Sequence, residues 1–269
     1  MRGRTLGEEL ADRPFALALS SGFFGFYAHA GVAEALEQVG LAPARLSGSS
    51  AGALVAGLWA AGLSAEHLTA ELVALERADF WDPGPGLGLL RGELFRRPKG
   101  TPAGTKRRRL ERLLPAATFA ACRVPLSVSA FDIRARRTVV LEAGDLASAL
   151  VASCAFPGLV QPVRRGGRLL SDGGIADRPG LAGLRGQPDG EATLYHCLAS
   201  RSPWRRRTSP VFAAPVRRDT ITLRILGLPR VHPFRLDVGR TALAAAREAA
   251  RRALAAPCAP LLDVAADRA

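Results

Sequence analysis

The 269-residue chain is expected to fold as an α/β protein around a central, mostly parallel sheet. Three observations predict this. Short apolar runs of strand length alternate with stretches whose apolar residues fall at helical spacing. Glycine clusters, at Gly22–Gly25 and Gly48–Gly52, stand where a strand would hand over to a helix. A hydrophobic content of 48% over this length also suffices for one sizeable core rather than two small ones.

The elements follow in order. Phe15–Ser20 reads as a buried strand entering a tight turn. Ala30, Ala33, Leu36 and Val39 then mark a helix that Gly40 stops. A short strand around Arg45–Ser47 leads through Gly-Ser-Ser-Ala-Gly into a helix ending near Ala61, and Ser64 is placed to cap the next helix, running to about Ala78. Trp81–Gly104, dense in glycine and proline, reads as a loop with at most one short helix.

Helical spacing resumes over Lys106–Leu114. Pro125–Ile133 and Arg137–Leu141 form a strand pair, and Leu146–Cys154 a short helix ending before Phe156-Pro157-Gly158. Arg168–Ser171 leads into Asp172-Gly173-Gly174. Strands are expected at Thr193–Leu198 and Thr220–Leu226, and a long helix from Thr241 to about Ala255. Pro203–Pro210 reads as an exposed loop. The expected organisation is an extension at residues 1–14, one domain over 15–256 and a tail at 257–269.

Composition removes several classes of function. The four cysteines are scattered, with neither a zinc-type spacing nor a disulfide framework. No metalloprotease, EF-hand or phosphate-loop pattern occurs, so neither metal nor cofactor is expected. The start, MRGRTLGEELADRP, lacks the apolar centre of a signal peptide, and no stretch offers the roughly 18 apolar residues of a membrane span. A cytoplasmic protein is the expectation.

The formal charge of +13 comes from an arginine-rich set in which Lys99 and Lys106 are the only lysines. Two clusters stand out, Lys106-Arg107-Arg108-Arg109 and Arg205-Arg206-Arg207. Aromatic residues are only 6% of the chain and do not interleave with the basic ones, so nucleic acid is not an expected partner. A solvated surface, or attraction to anionic lipid headgroups, is the reading left.

Three segments carry the chemistry. Gly48-Ser49-Ser50-Ala51-Gly52 fits the G-x-S-x-G pattern, in which a sharp strand-to-helix turn holds the serine in a strained conformation. Glycines flank it because side chains there would collide with strand and helix, and the following helix points its N-terminus at developing negative charge. Ser21-Gly22-Phe23-Phe24-Gly25 occupies the other strand-to-helix junction, where main-chain N–H groups can converge on an oxyanion. Asp172-Gly173-Gly174 projects a carboxylate from a strand end, within potential reach of the Ser50 hydroxyl. Taken singly, each also fits a simple turn.

Together and in this order, the three segments resemble the patatin-like phospholipase family. Ala152-Ser153-Cys154-Ala155-Phe156-Pro157-Gly158 resembles the family's A-S-x-A-x-P-G segment, and Gly88–Leu94 another short family stretch. The resemblance covers about residues 15–180. It implies a three-layer α/β/α patatin-like fold and a serine–aspartate dyad with Ser50 as nucleophile and Asp172 as base. It further implies an oxyanion hole of main-chain N–H groups from Gly22, Phe23, Phe24 and Ala51, supported by Gly48, Gly52, Gly173 and Gly174.

The implied activity is hydrolysis of a carboxylic ester of a lipid: a phospholipid, a lysophospholipid or an acylglycerol. Where many members carry an arginine or lysine in the glycine loop, this chain has Phe23-Phe24-Gly25-Phe26, which resembles the apolar loop of triglyceride lipases in the same superfamily. Alternatives are acyl transfer from the same site, a catalytically silent lipid binder, and a Ser-His-Asp triad using His196 or His232. Against the triad, the nucleophile lies unusually early in the chain, and His196, in an apolar run, reads as a core residue. A direct serine–aspartate pair would keep its activity as histidine titrates. Trp81–Gly104 and the basic cluster after it are a candidate lid or lipid-surface contact.

Overall fold

The structure, a computed structural model, describes residues 3–76, 103–184, 186, 191–198, 219–232 and 234–267. Nearly all of the expected loop Trp81–Gly104, including Gly88–Leu94, therefore lies outside the described residues, as do Pro203–Pro210 and its Arg205–Arg207 cluster.

The elements are α1 (Leu6–Asp12), β1 (Phe15–Leu19), α2 (Phe26–Gln38), β2 (Arg45–Ser49), α3 (Ala51–Ala60), α4 (Ala65–Val73) and α5 (Ala103–Leu113). There follow β3 (Leu126–Asp132), β4 (Arg137–Leu141), α6 (Leu146–Ser153), β5 (Val163–Arg165), β6 (Arg168–Asp172), β7 (Ala192–Cys197), β8 (Thr220–Leu226), α7 (Gly239–Ala255) and β9 (Leu261–Ala265). They build one mixed sheet of order β5-β6-β3-β2-β1-β7-β8-β9, with β4 also paired to β3.

The strands from β3 through β2, β1, β7 and β8 to β9 run parallel. β4 and β6 pair antiparallel to β3, and β5 antiparallel to β6. A central strand of a parallel sheet is buried on both faces, which is why β1 reads Phe-Ala-Leu-Ala-Leu without a polar residue. Phe15, Leu17 and Leu19 enter the main core with the helices, whereas Ala16 and Ala18 face Leu181, Leu184, Tyr195 and Cys197.

Some features differ from expectation. Residues 3–14 and 257–267 join the domain expected over 15–256 instead of standing apart as an extension and a tail, and a short β5 at Val163–Arg165 is not among the expected strands. Leu6 and Leu10 of α1 are fully or nearly fully buried, and β9 extends the sheet beyond β8. The end of α1 that packs back is fixed by a capping box, in which the Thr5 hydroxyl accepts from Glu8 N–H and the Glu8 carboxylate from Thr5 N–H. The helix α4 ends at Val73 rather than near Ala78, closing with a tightened turn from Leu75 N–H to the Leu72 carbonyl.

The topology also positions the chemistry. β4 occupies one edge of β3 over Val128–Asp132, so β2 and β6 must share the other. β2 pairs there as far as Ser49 with Ser129, and β6 ends with Asp172 against Ala130. One is parallel and the other antiparallel to β3, so their C-terminal ends meet head to head.

Candidate active site

At this junction the Ser50 hydroxyl donates a 2.6 Å hydrogen bond to Asp172 Oδ2. Ser50 bridges β2 and α3 with φ 53° and ψ −119°, a conformation that non-glycine residues adopt at a cost of about 1–3 kcal/mol. The surroundings hold it there. Its N–H donates to Ser153 Oγ at 2.9 Å, and Ser153 in turn donates to the Ser129 carbonyl at 2.7 Å. The Cys154 thiol donates to the Ser50 carbonyl at 3.2 Å. A side chain at Gly52 would overlap the Leu19 carbonyl, and one at Gly48 would come within 2.6 Å of Ala53 N. The elbow is compressed between β1 and its own helix.

Asp172 is only 4% exposed. Burial in this low-polarity setting pushes its carboxyl up to about 6, against the opposing pull of the hydrogen bonds from Ser50 and Gly174 N–H and of the charge on Arg178. The Gly174 N–H to Asp172 Oδ1 bond, at 2.8 Å, leaves Oδ2 turned to the serine. Gly173 packs on the Ser129 carbonyl and Gly174 on the Ser21 side chain, so the segment after Asp172 touches the glycine loop directly.

That loop runs from β1 to α2. Ser21 N–H donates to the Arg178 carbonyl at 2.8 Å, and Gly25 N–H closes a turn on the Gly22 carbonyl at 2.9 Å. Phe24 has φ 55°. Among the described residues, no hydrogen-bond acceptor lies against the N–H of Gly22, Phe23 or Ala51. The Phe23 ring is 46% exposed and packs against Phe24 and Phe156, with centroids 4.9 and 5.7 Å away. An apolar rim thus joins the glycine loop to the segment after α6.

The histidines are occupied elsewhere. His29 and His196 bond each other in the core, His67 bonds Ser64 Oγ, and His232 accepts from Phe234 N–H. None of these bonds reaches Ser50 or Asp172. Asp177 accepts from Ser129 Oγ and from the N–H groups of Leu181 and Ala182, and Asp132 from those of Arg134 and Ala135. Both carboxylates are turn anchors. Among the described residues no group of histidine, cysteine and carboxylate side chains is arranged to hold a metal, and no helix is long and apolar enough to cross a membrane. The four cysteines are free thiols.

Neither the role of Ser153 nor the histidine pair is visible in the sequence. The resemblance of Ala152–Gly158 to a family segment points near Ser153, but not to its hydrogen bond.

A layered α/β protein with a serine on a strained strand-to-helix turn, bonded to a buried carboxylate, is the class that fold and geometry define. The model of the patatin-like phospholipases matches residues 17–184, and the chain belongs to the patatin-like phospholipase family. It is similar to uncharacterized NTE family proteins of Mycobacterium tuberculosis and Mycobacterium bovis, each 33% identical over 180 residues that make up 64% of this chain. Those residues are 45% of the relatives, so the chain spans less than half the length of the curated proteins it matches. Among solved structures it is similar in fold to VipD from Legionella pneumophila. The TM-score is 0.54 at 15% identity, covering 91% of this chain and 67% of that one.

Proposed function

We propose that the protein is a lipid acyl hydrolase that cleaves a carboxylic ester through an acyl-enzyme on Ser50, with Asp172 as base and with residues 15–256, joined by α1 and β9, as the catalytic unit. The observation that carries this reading is the direct 2.6 Å bond from the Ser50 hydroxyl to a buried carboxylate. Family membership supports the lipid ester as substrate class.

In the first half-reaction, Asp172 takes the hydroxyl proton as Ser50 Oγ attacks the ester carbonyl carbon, and the carbonyl π pair moves onto oxygen. The N–H groups of Gly22, Phe23, Phe24 and Ala51 receive that oxyanion, each such donor being worth about 2.7–4 kcal/mol. Collapse expels the alcohol, which leaves with the proton held by Asp172. Water then gives a proton to Asp172 and attacks the acyl carbon, and Ser50 departs as the hydroxyl when the proton returns.

Ser153 already takes the N–H of Ser50, which supports the glycine loop and Ala51 as the source of the donors. The exposed Phe23 ring with Phe156 supports an acyl chain at the mouth, and contact with membrane or lipid droplets would be peripheral. The test is fluorophosphonate labelling, with hydrolysis of a panel of phospholipids, lysophospholipids and acylglycerols, by wild type, Ser50→Ala and Asp172→Asn. Labelling and release of fatty acid by the wild type alone are expected. Full activity in both variants would end the assignment.

A further inference from the structure

We propose that the buried pair His29–His196 is a positioning device for the oxyanion loop, fixing the peptide plane from which the Gly22–Phe24 N–H groups are directed. The inference rests on the function proposed above. Both rings are wholly buried, 0% exposed, and their Nδ1 atoms lie 2.8 Å apart with the rings edge to face. His29 Nε2 stands 2.8 Å from the Ser20 carbonyl. A carbonyl only accepts, so His29 carries its proton on Nε2 and offers a lone pair at Nδ1. His196 therefore donates from Nδ1, and its Nε2 is a buried lone pair without a hydrogen-bond partner among the described residues.

That orphan atom argues against a role in filling space. Apolar side chains at both positions would bury no unsatisfied nitrogen, and burying one costs about 1–3 kcal/mol, whereas a leucine at His196 alone strands His29 Nδ1 instead. What the two imidazoles supply is a relay of two hydrogen bonds from β7 to one carbonyl. The other polar groups of Ser20 are also engaged: its N–H donates to the His196 carbonyl at 3.2 Å, and its hydroxyl accepts from Leu198 N–H at 2.9 Å.

The Ser20 carbonyl and the Ser21 N–H belong to one peptide plane. The carbonyl is held by His29 and the N–H by the Arg178 carbonyl, so the plane is fixed at both ends. The next peptide groups in the chain are those of the oxyanion donors. His29 also lies in the first turn of α2, and its main-chain N–H donates to the Gly25 carbonyl at 3.1 Å, so the ring holds one end of the loop and the backbone of the same residue the other. Burial lowers the pKa of both rings, that of His29 to about 4, which keeps the relay neutral at ordinary pH.

The test compares wild type, Ser50→Ala, His196→Leu and His196→Asn on p-nitrophenyl butyrate, each over a pH series and with a thermal melt. His196→Leu removes the donor, whereas the Asn side-chain N–H lies where His Nδ1–H was. We expect His196→Leu to lower kcat about 10–100-fold with KM within about threefold, short of the roughly 10²–10³-fold lost when an oxyanion donor is removed outright. The acidic limb of kcat/KM should stay in place, and His196→Asn should recover most of the loss.

A folded His196→Leu protein with kcat within about twofold of wild type would overturn the proposal, as would equal losses in both variants. Loss of the acidic limb in His196→Leu would overturn it too, because the ring would then be moving protons. Should His196→Leu fail to fold, His196→Asn decides: kcat near wild type supports the relay, and a tenfold fall in a folded protein refutes it. A wild type without Ser50-dependent hydrolysis would sink the function and this inference together, whereas an active wild type matched by an equally active His196→Leu sinks this inference alone.

Discussion

Ser50 Oγ and Asp172 Oδ2 stand 2.6 Å apart although 122 positions separate them in the chain. The contact needs no side-chain reach, because the two strands that carry these residues end against each other on one edge of β3. The proposed chemistry is read from that contact, and the following outcomes are expected from it.

The pH dependence of kcat/KM should show one acidic limb near pH 6. Asp172 must be ionised to accept the serine proton, and burial raises its pKa to about 6. Activity should rise tenfold per pH unit below that value and level off above it. This places the limb where an ordinary imidazole also titrates, so the curve alone does not separate a dyad from a triad. A plateau already reached by pH 5 would contradict the buried carboxylate.

Asp172→Asn should be inactive and more stable than wild type at pH 8. The folded pKa lies above the unfolded one, so between about pH 4 and 6 the native state binds more protons and stability falls as pH rises. Above that window the ionised carboxylate costs on the order of 1–3 kcal/mol that the amide does not. Urea melts at pH 8 and pH 4 test this. The gain should shrink at pH 4, where the wild-type carboxyl is protonated.

Ser153→Ala should lower kcat by about tenfold or more and destabilise the fold by about 1–3 kcal/mol, since Ser50 N–H and the Ser129 carbonyl both lose their partner. Ser153→Thr keeps the hydroxyl and should recover part of the rate. Steady-state kinetics and thermal melts on both variants would test this, and an unchanged kcat in Ser153→Ala would remove its role in holding the nucleophile.

Gly52→Ala should fold poorly or lose at least about 2 kcal/mol, because the added methyl overlaps the Leu19 main chain rather than a side chain that could move. A thermal melt indistinguishable from wild type would mean that the elbow and β1 are further apart than described.

Phe23→Ala should leave stability within about 0.5 kcal/mol, since the ring is 46% exposed, yet raise KM for long-chain esters more than for butyrate esters. Kinetics on an acyl-length series is the measurement, and equal changes at all lengths would remove the ring from acyl-chain binding.

Much of the architecture is legible because it follows from local periodicity. β4 falls at the predicted Arg137–Leu141, and β1, β3, β7, β8, α6 and α7 lie within a residue or two of expectation. Ser50 and Asp172 are legible for a different reason: the glycines around them are demanded by backbone crowding, which leaves a mark in the sequence. α1 is too short for its periodicity to stand out, although Thr5 and Glu8 spell a capping box. β9 escapes a periodicity reading because its side chains alternate between exposed and half-buried, without the apolar run of an interior strand. The His29–His196 contact has no local signal at all. It needs both the β1–β7 register that sets His196 beside Leu19 and the packing of α2 that brings His29 to it, which only the assembled fold specifies.

The abutment of β2 and β6 on β3 also sets where this chain tolerates change. Residues added at the Gly166–Gly167 turn between β5 and β6 would lengthen a connection and leave the two strand tips where they are. A single residue inserted within Arg168–Asp172 would shift the ladder by one step, turn the carboxylate to the opposite side of the sheet and leave the serine facing a side chain that cannot take its proton. Variation in length across this family should therefore gather in the connections and spare the five residues of that short strand.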